Sequence, residues 1–334
     1  MKRDCLQRLR CPSCQSTGLD FRGGEFAGKD EETEGGDLRC QRCGQAYPIL
    51  GYIPRFVPSE NYTASFGFQW NTHRRTQLDS YTGIPISRSR LFQISGWPAN
   101  MEGQLLLEAG SGAGRFTEVL LETGAAVFSF DYSTAVEANW ANNRNSTNLH
   151  LFQADILNMP FCKGCFDKVI CIGVIQHTPD PERAFKSLAG QVRVGGELLI
   201  DVYRKSLIPL IHWKYLLRPL TKRMDKKTLY KIVSFMVPIL LPLTILLRRI
   251  AGRVGVRLMP IVEYSHLGLP YEINKQWSIL DTFDMYAPAH DHPQSIATIE
   301  RWYAEAGFEN IVVRRGPNGV VAKGVRVCRS SMLD

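Results

Sequence analysis

Residues Leu105 to Phe116 read LLLEAGSGAGRF, and their types and spacing suit a ligand that carries positive charge. An apolar run leads into Glu108, then into glycines at 110, 112 and 114, then into a helical pattern. Glycines let the chain turn sharply and let a ligand lie directly on the backbone. A pyrophosphate site would use the spacing G-x-G-x-x-G and bare N–H groups at a helix N-terminus. Here the spacing is G-x-G-x-G, and a carboxylate two positions before the first glycine favours a cation. Two more acids end later apolar runs: Asp131 after residues 126–130, and Asp155 in Ala154-Asp155-Ile156. The first can take both hydroxyls of a ribose. The second can accept from an exocyclic adenine amine, with the next N–H donating to the ring. The competing reading is a tight turn with acids that merely cap helices.

S-adenosylmethionine combines adenine, ribose, an ammonium and a sulfonium, and has no phosphate. At this point the chain resembles the class I S-adenosylmethionine-dependent methyltransferases, from about Leu105 to Tyr203 and again from near Gln294. The resemblance implies that Glu108, Gly110, Gly112 and Gly114 hold the methionine end, with Ser111 and Gly173 also among the cofactor residues. It assigns the ribose to Asp131 and Tyr132 and the adenine to Asp155 and Ile156. The segment Val174-Ile175-Gln176-His177-Thr178-Pro179-Asp180 would then lie near the sulfonium. The glycine spacing disfavours a nicotinamide enzyme. Amino-group methyltransferases of DNA carry Asp/Asn-Pro-Pro-aromatic here, and Gly173-Val174-Ile175-Gln176 departs from that pattern.

A sulfonium already activates its methyl group, so alignment of the nucleophile is the main task. A base is needed only where the acceptor must lose a proton. His177 is a candidate base, with a structural histidine bonded to backbone as the alternative. The segment Asp281-Thr282-Phe283-Asp284-Met285-Tyr286, with His290, Asp291 and His292, resembles one that borders the acceptor pocket in bacterial enzymes of this type. Tyr286 and His290 are the expected acceptor contacts. Asp291 or His292 is expected to cap the helix after Pro293. His290 and His292 alone are too few for a metal.

Cys11-Pro-Ser-Cys14 and Cys40-Gln-Arg-Cys43 form two C-x-x-C pairs, whose four thiolates suit one tetrahedral structural zinc. No position is left open for catalysis. With the following Tyr47-Pro48-Ile49-Leu50-Gly51-Tyr52-Ile53-Pro54, the segment is similar to the small zinc-ribbon proteins that activate some tRNA and protein methyltransferases, here fused in cis. The other five of the nine cysteines are expected to be free thiols.

The elements that must position these residues alternate strand and helix from Gln104 to Tyr203, which argues a parallel α/β sheet. A helix over 295–306 and strands over 310–315 and 319–328 add an antiparallel hairpin. The expected fold is a seven-stranded Rossmann-like methyltransferase sheet with that terminal hairpin. The expected divisions are a zinc ribbon over 1–58, a helical cap or linker over 59–100, a core over 101–203 and 277–334, and an insert over 204–276. The chain has 334 residues, 44% of them hydrophobic and 22% charged, an ordinary globular composition. The N-terminus lacks a secretory pattern, which favours a cytoplasmic protein.

From Arg204 to Arg257 there are 13 Lys or Arg against the single acid Asp225, in a chain whose net charge is +8. Ile232 to Leu247 is a run of sixteen residues without a charge. That is short of the roughly 20 needed to span a bilayer, and Pro238 and Pro242 argue against a straight helix. Three readings stand: a lid over the acceptor pocket, which is the leading one, a peripheral contact with the inner face of the membrane, and a nucleic-acid patch. The last is disfavoured because the basic residues flank aliphatic rather than aromatic side chains. The acceptor is therefore expected to be a small or lipid-linked molecule. An RNA or protein methyltransferase, or an adaptor with a vestigial cofactor fold, is the alternative.

Overall fold

The computed structural model describes residues 1–28, 31–58, 64–205 and 213–328. Residues 59–63 and 206–212, which open the expected cap and insert, lie outside the described residues.

Four short strands come first: β1 (Leu19–Arg22), β2 (Gly35–Cys40), β3 (Ala46–Leu50) and β4 (Ile53–Pro54), all antiparallel in that order. Three helices follow, α1 (Ala64–Thr72), α2 (Asp79–Thr82) and α3 (Ile86–Ser95). The core then alternates β5 (Leu105–Ala109), α4 (Arg115–Leu121), β6 (Ala126–Asp131), α5 (Val136–Asn143), β7 (Leu149–Gln153), β8 (Phe166–Ile172), α6 (Pro181–Gln191) and β9 (Val192–Tyr203). Next come α7 (Trp213–Thr221), α8 (Lys226–Arg257), α9 (Tyr271–Tyr286) and α10 (Ile296–Glu305), then β10 (Phe308–Arg315) and β11 (Gly319–Arg326).

The seven-stranded sheet has the order β10-β11-β9-β8-β5-β6-β7, parallel from β9 to β7, with β10 and β11 antiparallel. This is the expected sheet and terminal hairpin. From β5 the chain runs to β6 and β7 on one side and then returns to β8 on the other. The loops diverge at that reversal, so a crevice opens at the carboxyl ends of β5 and β8.

The ribbon shares its hydrophobic core with the sheet. Leu38, Tyr47, Ile49 and Phe56 are buried together with Phe128, Phe152 and Phe161. The Phe56 N–H donates to the Gln153 carbonyl at 2.8 Å, and Arg55 bridges Gln153 in parallel. Ribbon residues thereby pair along β7, which would otherwise be an open edge.

Two expectations about the insert change. Pro238 and Pro242 do not stop α8, which runs through both and breaks only at Gly252, where φ is +56°. Its charge-poor middle is also extended by flanking helix into a segment long and apolar enough to cross a membrane by length and composition, with mean hydropathy 2.0. In addition, the expected boundary at 277 falls inside α9. This helix belongs with the insert because Phe283 and Tyr286 pack against Leu229, Val233, Val237 and Leu241 of α8.

Candidate active site in the crevice at β5 and β8

A cavity of about 910 Å³ opens where β5, β6, β8 and β9 end. One wall carries Gly110, Ser111, Gly112, Asp131, Tyr132, Ile156, Gly173, Val174 and His177. The opposite wall carries Lys214, Tyr264, Trp277, Asp281, Asp284 and Met285 from α7, α9 and the segment between α8 and α9. Insert residues therefore line one wall of the cavity.

The glycine turn is shaped by sterics. At Gly110 φ is +76°, and a Cβ there would sit 2.3 Å from Val174 Cγ2. At Gly114 φ is +89°, and a Cβ would meet the Asn139 and Asn143 side chains at 2.3 Å. Gly110 thus lets the β8 loop approach, while Gly114 lets α4 start against α5. Gly112 faces the ring of Trp70 on α1, so the segment 59–100 does reach the cavity. Phe68 of the same helix points elsewhere, onto Tyr230 and Phe283.

Asp131 holds its own loop. Its Oδ2 accepts the Gly112 N–H at 2.9 Å, and its Oδ1 accepts the Ser133 N–H at 2.8 Å and hydroxyl at 2.7 Å. A carboxylate offers about four acceptor positions, so one further donor fits at Oδ2. Ser111 lines the cavity with its Oγ buried and without a hydrogen-bond partner among the described residues. A buried hydroxyl in that state favours a ligand that supplies the partner.

Glu108 is 4% exposed and stands behind the turn rather than in the cavity wall. It accepts from the hydroxyls of Thr117 at 2.5 Å and Ser129 at 2.8 Å, tying β5 to α4 and β6. Burial pushes its carboxyl up to about 7, against the pull of those two hydroxyls. Asp155 is likewise outside the wall: Oδ1 accepts the Leu157 N–H at 2.9 Å and Oδ2 the Asn158 amide at 3.2 Å. Ile156 does line the cavity.

His177 lies in the wall within hydrogen-bond reach of backbone, its Nδ1 3.0 Å from the His290 carbonyl. Burial lowers its pKa to about 4, so the ring is neutral at pH 7. Tyr286 and His290, the expected acceptor contacts, are not in the wall. Tyr286 donates to the Pro260 carbonyl at 2.8 Å and packs against α8. Neither Asp291 nor His292 caps α10, whose N-cap is Ser295. Asp291 is half-buried, with its side chain only 8% exposed, and pairs with Lys214 at 2.8 Å and Arg218 at 2.7 Å, two of the insert's cations.

The cavity-lining acids that the sequence did not single out are Asp281 and Asp284. Asp281 accepts from Gln77 at 3.1 Å and from the Tyr264 hydroxyl. Burial raises both carboxyls to about 6. The signal was present: Trp277, Asp281 and Asp284 recur at i, i+4 and i+7 and share one helix face, while Ile279, Phe283 and Tyr286 share the opposite one.

The four cysteines of the ribbon converge. All ligand sulfurs of Cys11, Cys14, Cys40 and Cys43 lie within 4.8 Å of one another, with Cys11–Cys43 at 3.6 Å and Cys14–Cys40 at 3.5 Å. Sulfurs about 2.3 Å from one tetrahedral ion would be separated by about 3.8 Å. The donor set and spacing suit a metal ion.

A family model described as "Methyltransferase domain" matches residues 107–200. The chain carries a class I S-adenosylmethionine-dependent methyltransferase domain. Within this domain the chain is similar to a tRNA U34 carboxymethyltransferase of Campylobacter curvus, 29% identical over 105 residues, 30% of this chain and 35% of that protein. It is also similar to a ubiquinone biosynthesis O-methyltransferase of Coxiella burnetii, 28% identical over 108 residues, 32% of this chain and 46% of that protein. The chain thus spans less than half the length of these curated relatives. A solved structure of a methyltransferase from Aquifex aeolicus aligns over 80% of this chain and all of that one, with 11% identity and a TM-score of 0.43.

Proposed function

We propose that the chain transfers a methyl group from S-adenosylmethionine to a small or lipid-linked acceptor held between the glycine turn and the insert. What carries the reading is the cavity itself: the orphaned Ser111 hydroxyl and Asp131 stand on the wall formed by the methyltransferase domain, and an acid-bearing wall from the insert faces them. Ser111, Gly112, Asp131, Tyr132 and Ile156 would hold the cofactor, which when bound supplies a methyl group on a sulfonium. The insert wall would orient the acceptor's nucleophile in line with that methyl. Where the acceptor must lose a proton, Asp281 or Asp284 is a better base than His177, because a pKa near 6 lies closer to neutral pH than one near 4. The relatives do not choose the acceptor, since one is named for tRNA and the other for ubiquinone biosynthesis.

The four cysteines would hold one structural zinc, closed to substrate because every ligand is a protein thiolate.

Titration calorimetry tests the cofactor assignment. Wild type should bind S-adenosylmethionine, and Asp131→Ala should bind at least tenfold more weakly; no binding by wild type, or an unchanged variant, overturns it. Radiolabelled cofactor incubated with cell extract then reports the acceptor: label in the organic phase marks a lipid, label in the aqueous small-molecule fraction a metabolite. Label in nucleic acid or protein would reject the reading.

A further inference from the structure

The outer face of α8 is apolar and open to solvent. Ile232, Phe235, Ile239, Leu243, Leu246 and Ile250 are all exposed, Phe235 and Ile250 by 74%. Their spacings of three and four place them on one stripe of the helix before its break at Gly252. The opposite stripe, Leu229, Val233, Val237 and Leu241, is buried against α9. On α7, Leu216 and Leu220 are exposed on the side away from buried Arg218. Monomeric proteins rarely leave a contiguous apolar patch of this kind uncovered.

Charge brackets the stripe. Lys227 and Lys231 precede it, Arg249 stands beside its last residue Ile250, and Arg253 and Arg257 follow; all five are exposed, and α8 contains no acid. None of the five has an ion-pair partner among the described residues. The cations that the fold does use are others: Lys214 and Arg218 on Asp291, and Arg248 on Glu263.

We propose that this face docks on an anionic lipid bilayer, with α8 lying in the headgroup plane, its aliphatic stripe inserted and its terminal cations on lipid phosphates. An apolar centre between cationic ends is complementary to a surface that is apolar beneath and anionic above. A second copy of the chain fits worse, because two such helices would bring cation against cation with no acid on either. Spanning fits worse too, since it would strip the buried stripe from Phe283 and Tyr286. Because α9 carries α8 on one side and the cavity on the other, docking sets the acceptor wall one helix layer from the membrane. The docking does not rest on the methyl-transfer reading; only its use, delivery of a lipid-borne acceptor, does.

Sedimentation of the full chain with vesicles tests the proposal. Wild type should pellet with mixed phosphatidylcholine–phosphatidylglycerol vesicles roughly tenfold more than with phosphatidylcholine alone, and less at high salt. Phe235→Ser with Ile239→Ser should abolish pelleting, and Arg249→Glu with Arg253→Glu should weaken it about tenfold or more. Near-UV circular dichroism and calorimetry with S-adenosylmethionine confirm that the variants remain folded, and they report on the cofactor site independently. The proposal is overturned if wild type stays in the supernatant with both vesicles, or if Phe235→Ser with Ile239→Ser pellets like wild type. It is equally overturned if alkaline carbonate fails to strip the protein from membranes, or if ultracentrifugation shows a dimer that the serine variant splits and no lipid binding.

Discussion

At the residue scale, Glu108 stands behind the glycine turn, and the contacts that hold it there are not local in sequence. Its place before the glycines was legible, but the hydroxyls that hold it come from Thr117 and Ser129, nine and twenty-one residues away. Only the β5–β6 pairing and the start of α4 bring them together. Burial raises its pKa from 4.5 to about 7, and the sign of the consequence follows. An acid that holds its proton more tightly when folded contributes stability that is full below its unfolded pKa and is lost as pH rises through the folded one. Relative to wild type, Glu108→Gln should therefore gain about 2 to 3 kcal/mol of stability between pH 4.5 and pH 7.5 in the absence of ligand. Denaturant melts of both proteins across that range measure it. A constant difference would mean that Glu108 titrates normally. Asp155 carries the same lesson with the opposite outcome for its neighbour. Its two hydrogen bonds close a turn rather than cap a helix, while the adjacent Ile156 is the residue in the cavity wall.

At the scale of elements, α9 separates positions that sequence alone had grouped. The resemblance placed the segment 281–286 as a whole at a pocket, but its helical phase decides which side chains reach the cavity. Asp284 faces the cavity, while Tyr286 faces α8. Asp284→Asn and Tyr286→Phe should accordingly fail in different assays. The first should lower turnover about tenfold or more while raising thermal stability at neutral pH, since it removes a carboxylate that burial holds up to about 6. The second should leave cofactor affinity unchanged and cost about 1 kcal/mol, because it removes the donor to the Pro260 carbonyl. Thermal melts and turnover of the two variants side by side check the division; equal loss of turnover would place Tyr286 at the reacting groups after all. The insert was harder to foresee. Prolines at 238 and 242 suggest a break, yet a helix packed along one face onto α9 tolerates two lost N–H donors, and the break comes where glycine adopts positive φ.

At the scale of the whole molecule, the ribbon is an integral part of the fold. The two C-x-x-C pairs and the parallel sheet were each legible, one from ligand spacing and the other from the strand–helix alternation. Their joint core was not, because contacts such as Phe56 on Phe152 and Leu38 among the same cluster span about a hundred residues of chain. That joint core predicts how the molecule responds to metal removal. If the four thiolates hold the proposed zinc, its loss would leave β1 to β4 without their staple, and a unit of that size rarely folds without one. The strand that pairs along Gln153 would then be released, and β7 would become an open edge bordered by Phe152 and Leu151. Elemental analysis should therefore give one zinc per chain for wild type and none for Cys40→Ser. The substitution should also lower the melting temperature of the entire protein, with aggregation accompanying the transition rather than a separate ribbon transition preceding an unchanged one. Calorimetric scans of wild type, wild type with a strong chelator, and Cys40→Ser distinguish the two. A variant whose sheet still melts at the wild-type temperature would show that the ribbon merely rests on the edge, and a metal-free wild type that melts normally would remove zinc from the fold.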